Sequence, residues 1–145
     1  MPHLVVLYTP NLEAETDMTA LCRALADTML TVPDEAGKQV FPTGGVRVLA
    51  YPAAHSAVAD GGVAAQAAGG TGELAFAYLH LRMGRGRSEA VRQRAGEALA
   101  ATARVHFAPL LARHHVGITL QIDEGAEVFD AKLGNLHPLF DKKAP

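Results

Sequence analysis

Residues 73–99 read ELAFAYLHLRMGRGRSEAVRQRAGEAL. From Glu73 to Met83 the run is apolar and aromatic, with no glycine or proline, and this predicts a β-strand. Gly84-Arg85-Gly86-Arg87 breaks it as a turn. Ser88 then stands where a helix N-cap is wanted. Val91, Ala95, Ala98, Leu99, Thr102 and Val105 follow at helical spacing and predict a helix with one apolar face. Pro109 should kink or end that helix. Beyond it, VGITLQI from Val116 to Ile122 places Val116, Ile118, Leu120 and Ile122 on one face of another strand. The second half of the chain is therefore strand, helix, strand, and two strands joined through a helix can lie parallel.

Working outward, the first half repeats this plan. HLVVLY, His3 to Tyr8, is a β-branched and apolar run stopped by Thr9-Pro10-Asn11, hence a strand and a turn. Asp17 is placed to cap a helix whose stripe is Met18, Leu21, Cys22, Leu25 and Met29, and Pro33 with Gly37 closes it. Gly44-Gly45 and Pro52 bound a second strand from about Val46 to Tyr51. Residues 54–72 are Ala- and Gly-rich without clear periodicity and read as a connection between units. Two βαβ units, about 2–52 and 73–123, and a tail over 124–145 predict one α/β domain over 1–145. Its four-stranded sheet would carry both helices on one face. HLVVLY and AFAYLHL are apolar on both faces, so the other sheet surface would lie bare in a monomer, and self-association is expected.

Composition narrows the function. A chain of 145 residues with 49% hydrophobic side chains can bury a sizeable core. A net charge of −2, from 13 basic and 15 acidic residues, gives no bulk field to attract nucleic acid or an anionic membrane. No apolar run approaches the ~20 residues of a membrane span, and the N-terminus lacks the parts of a signal peptide. With the single Cys22 inside a helical stripe, the chain reads as a cytoplasmic protein with a buried free thiol. Gly84 and Gly86 are followed by Glu89 where a dinucleotide fingerprint needs a third glycine, and no GK[ST] occurs, so nucleotide binding is not expected. Of seven histidines, His114 and His115 are adjacent, and His3, His55, His80, His106 and His137 show no ligand spacing. Neither a metal nor any other cofactor is expected.

The chain opens MPHLVVLYTP. Removal of Met1 would make Pro2 a free secondary amine at the start of a buried strand. Such an amine titrates near ~7.7–8.0 in model peptides, and burial or a neighbouring cation disfavours its charged form. It could take a proton from one atom of a bound substrate and return it to another. Arg47 in the second strand and Arg87 before the helix cap could pair with carboxylates, the latter among glycines at a helix N-terminus. Arg85 is a lesser candidate. On the residues alone, the competing readings are an ordinary N-terminus for Pro2, solvated turn residues for Arg85 and Arg87, and a structural ion pair for Arg47.

Four segments in order, MPHLVV, FPTGGVR, MGRGRSEAVRQRAGEAL and GNLHPLF, resemble the 5-carboxymethyl-2-hydroxymuconate isomerase family of the tautomerase superfamily. The resemblance runs from Pro2 to about Phe140, with a break at the Ala/Gly-rich connection. It implies a homotrimer of tautomerase-like double-βαβ subunits, with Met1 removed and Pro2 acting as the proton shuttle. The implied activity is cofactor-independent interconversion of 2-hydroxymuconate-type dienols and their unsaturated ketones in aromatic-compound catabolism. Pro2 would be catalytic, and Arg47 and Arg87, with Arg85 a lesser candidate, would hold a small anionic dienol or keto acid. The family usually has a glutamate where this chain has Leu7, and often a second arginine where it has Leu49. Loss of both points to a smaller or less charged substrate, or to weakened turnover. The alternatives are a superfamily decarboxylase or hydratase acting on a small acid, and a non-catalytic trimeric binding protein.

Overall fold

In the computed structural model, which describes residues 2–141, the two predicted caps start the two long helices. The Asp17 carboxylate accepts from the backbone N–H of Ala20 at 2.9 Å, opening α1 (Met18–Thr31). The Ser88 hydroxyl accepts from that of Val91 at 3.2 Å, opening α3 (Glu89–Leu111). Each cap satisfies a backbone N–H that has no partner within its helix, worth typically ~1 kcal/mol. Strands β1 (His3–Tyr8), β2 (Arg47–Pro52), β3 (Leu74–Met83) and β4 (His115–Glu124) form one sheet in the order β2-β1-β3-β4. The pairs β1/β2 and β3/β4 are parallel, as helix crossovers require, and β1/β3 is antiparallel where the two units join.

Alternation along the strands sorts the two faces. Leu4, Val6 and Tyr8 of β1 and Ala77, Leu79 and Leu81 of β3 are buried against α1 and α3. Leu21, Leu25 and Leu99 are fully buried there, and each contributes about 1.5–3 kcal/mol by leaving water. The helices meet at Thr28 and Thr102, whose hydroxyls lie 2.6 Å apart. On the opposite face Leu7, Leu49 and Tyr51 stand about half exposed, at 47, 50 and 48%. That surface is bare in this chain, as the two-sided apolar strands predict.

Several expectations need correction. Val105 is not part of the packed face: it is 77% exposed, and the stripe continues instead through Ala103, Phe107 and Leu110. At about 100° per residue, Val105 has turned some 240° from Leu99. Pro109 does not end α3, which runs on to Leu111. The hydrogen bond it forgoes would reach the carbonyl of Val105, on the solvent side where water can replace it. Cys22 is half-buried rather than buried, and burial pushes its thiol up, away from the thiolate. The 54–72 connection contains a short helix, α2 (Val63–Ala67). Gly62 before it adopts φ 98°, and a Cβ there would lie 1.8 Å from the carbonyl oxygen of Gly72. Only glycine fits that close approach.

The tail leaves β4 through Gly125, whose N–H donates to the carbonyl of Met83 at 2.7 Å. It comes down again where the 3-10 turn His137–Leu139 lies against the turn Thr43–Gly45. Gly44 makes room for it, since a Cβ there would approach the Cα of His137 to 3.0 Å. Between these anchors Val128, Phe129 and Leu133 are exposed. No described helix is long and apolar enough to cross a membrane.

Candidate active site

Strand pairing carries the start of β1 to the middle of one end of the sheet. His3 is level with Arg47 on β2 and with Arg82 on β3. One residue earlier the same register sets Pro2 between Val46 and Met83, and Pro2 is buried. Met83 is level with Glu124, so the turn 84–88 and the root of the tail gather at this end as well. Pro2, Arg47, Arg85 and Arg87, far apart in sequence, thus share one end of the sheet. The removal of Met1 on which the amine depends lies outside the described residues.

The arginines differ in what already holds them. Arg47 is partly buried and gives one N–H to the carbonyl of Gly44 at 3.0 Å, leaving four of the five donors of a guanidinium. Arg87 gives two, to the carbonyls of Gly84 at 3.1 Å and Val40 at 3.3 Å, and lies 5.9 Å from the centre of the fully buried Phe41 ring. It therefore ties the turn 84–88 to the segment before β2 while keeping three donors. Arg85 is exposed and has no hydrogen bond or ion pair among the described residues.

Arg82 was not singled out by the sequence reading, because only the antiparallel register places it beside His3. Burial pushes the His3 imidazole down; the charges of Arg47 and Arg82 act in the same direction, and Asp130 of the tail opposes them. Arg47 and Arg82 are thus positive charges close enough to be felt by the residue next to Pro2. A cation near an amine lowers its pKa.

A groove of about 650 Å³ runs along the free edge of β2. Arg47, Leu49 and Phe140 line it with Cys22 and Arg23 of α1, but Pro2 does not. Leu49 therefore shares a groove with Arg47, whereas Leu7 lies four residues beyond His3, level with Tyr51 and Tyr78 on the bare face. Among the described residues, no three of His, Cys, Asp or Glu gather where they could hold a metal ion.

Residues 2–140 match the family model for 5-carboxymethyl-2-hydroxymuconate isomerase. The chain belongs to that family. A solved structure described as a 5-carboxymethyl-2-hydroxymuconate delta-isomerase is 64% identical, with a TM-score of 0.96 over 100% of this chain and 96% of the other. A 5-carboxymethyl-2-hydroxymuconate isomerase from Deinococcus radiodurans R1 is 33% identical, with a TM-score of 0.79 over 97% and 95% of the two chains. The 5-carboxymethyl-2-hydroxymuconate Delta-isomerase of Escherichia coli is 29% identical over 140 residues, 97% of this chain and 99% of that protein. Solved structures of far lower identity, 17% and 15%, share the fold alone, with TM-scores of 0.55 and 0.54. The four sequence segments and the observed sheet thus lead to the same 5-carboxymethyl-2-hydroxymuconate isomerase family.

Proposed function

We propose that this protein is a cofactor-independent isomerase that interconverts 2-hydroxymuconate-type dienols, such as 5-carboxymethyl-2-hydroxymuconate, and their unsaturated ketones. It would work in the cytoplasm as a homotrimer of single-domain subunits. With Met1 removed, the neutral Pro2 amine takes the enol O–H proton. The negative charge spreads over the dienolate, and the same proton returns to the far carbon, so that one ketone replaces one enol and nothing is consumed. The guanidinium of Arg47, and the free donors of Arg87, hold substrate carboxylates and the oxygen that becomes anionic. Arg85 is a lesser contact. The single observation that carries this reading is the buried Pro2 at the sheet end, with Arg47 and Arg82 flanking the next residue.

The test compares the processed protein with one carrying an extra residue before Pro2, each assayed for loss of dienol ultraviolet absorbance over a panel of 2-hydroxydienoates. An amide nitrogen cannot accept a proton near neutral pH, so the extended protein should lose nearly all turnover and with it the rising limb of the kcat/KM pH profile. Equal rates for the two proteins would end the proline mechanism. A parent inert on the whole panel would leave a binding protein.

A further inference from the structure

The chain beyond β4 stands on two feet, one on either side of Pro2. At the first, the N–H of Gly125 donates to the carbonyl of Met83 at 2.7 Å, and Met83 is the residue of β3 level with Pro2. At the second, His137 and Phe140 close over Gly44, two residues before Val46, which is level with Pro2 on the β2 side. The two feet are two strand spacings apart, roughly 10 Å. Drawn out, residues 126–136 would reach roughly 36 Å. The segment therefore has slack: it can lie across the Pro2 end or swing clear with both feet in place.

Little holds it between the feet. Among the described residues no backbone hydrogen bond ties 126–135 to the rest of the chain. Val128, Phe129 and Leu133 are exposed, so they do not pack on the sheet. What remains is charge. The Glu127 carboxylate lies beside Arg82 over Gly125: a Cβ on that glycine would strike the carboxylate and come within 3.2 Å of Arg82 Nε. Asp130 lies near the same row, since Lys132 chiefly, and His3 in the same sense, hold its carboxyl below the usual carboxylate range. Arg82 and Glu127 are both exposed, and attraction between exposed charges is weak and screened by salt. A hold of this kind opens readily.

We propose that residues 126–136 form a strap over the Pro2 end of the sheet, latched by Glu127 beside Arg82, and that a ligand reaches Pro2 only when the latch is open. Closed strap and bound ligand then exclude each other, so the apparent affinity of a ligand is reduced by the fraction of molecules that are open. This rests on the reading of the Pro2 end as the substrate site and adds to it a gate.

Two readouts on the processed protein measure the same opening. Trypsin cuts after Lys132, within the strap, at a rate that follows the open population. Calorimetric titration with cis,cis-muconate, a dienoate that has no 2-hydroxyl group and cannot tautomerise, reports access to Pro2. At low salt Glu127→Gln should speed the cut and tighten muconate binding by one common factor, roughly 2- to 5-fold, with the urea midpoint unchanged. Arg82→Gln should speed the cut equally, and adding Glu127→Gln to it should do nothing more. Salt at about 0.5 M should bring the cutting rates of parent and variants together. Neither change in Glu127→Gln, or one without the other, overturns the proposal: tighter binding alone is plain removal of a charge, and a faster cut alone puts the strap outside the ligand's path. Additive effects of the two substitutions on the cut overturn it as well. If the common factor is found while the parent turns over no 2-hydroxydienoate, the isomerase reading falls and the gate stands.

Discussion

At the scale of single residues, Arg47 and Arg87 look alike in sequence and differ in structure. Arg47 commits one donor and lines a groove, whereas Arg87 commits two donors to backbone carbonyls and faces the Phe41 ring. Arg47→Ala should therefore raise KM for an anionic dienol with little change in the urea midpoint. Arg87→Ala should raise KM and also destabilise by about 1–3 kcal/mol, since two carbonyls lose their donor. Equal stability of the two variants would remove the structural part of the role given to Arg87. Pro2, Arg47 and Arg87 can be nominated from the sequence because each sits beside a local signal: the MPHL opening, a strand after a double glycine, and a helix cap. Arg82 carries no local signal. Its meaning comes from pairing with His3, 79 positions away, which no spacing rule contains.

At the scale of elements, caps and stripes placed the two long helices and all four strands to within a few residues, because these signals are written in consecutive residues, whereas the short α2 carries no such signal. The reading failed in the later turns of α3. Thr102 and Val105 continue a spacing of three from Leu99, but the actual stripe advances by four to Ala103 and Phe107. Either path is allowed until the helix is docked on the sheet. The two sides are separable by experiment: Leu99→Ala should cost about 2–5 kcal/mol in urea unfolding, and Val105→Ala under about 0.5 kcal/mol. Comparable losses would mean that the helix is rotated from the orientation described. The tail was illegible for another reason. It has no periodicity, and its anchors among the described residues, the backbone hydrogen bond at Gly125 and the fit of His137 and Phe140 over Gly44, join segments far apart in sequence.

At the scale of the whole molecule, the bare sheet face is the largest unanswered demand of the fold. Leu7, Leu49 and Tyr51 stand half in water on it, and a partner copy would remove that cost. Light scattering at micromolar concentration should give three times the 15.2 kDa of the chain, and Leu7→Arg should lower the mass. A parent of monomer mass would rule out the trimer. The place of β1 has a different consequence, one of timing. It is the first strand synthesised, yet it lies between β2 and β3, so its final neighbour is not made until Met83 has left the ribosome. Until then β1 can pair along one edge only; the arrival of β3 closes its second edge and covers the flank of the strand where Pro2 lies.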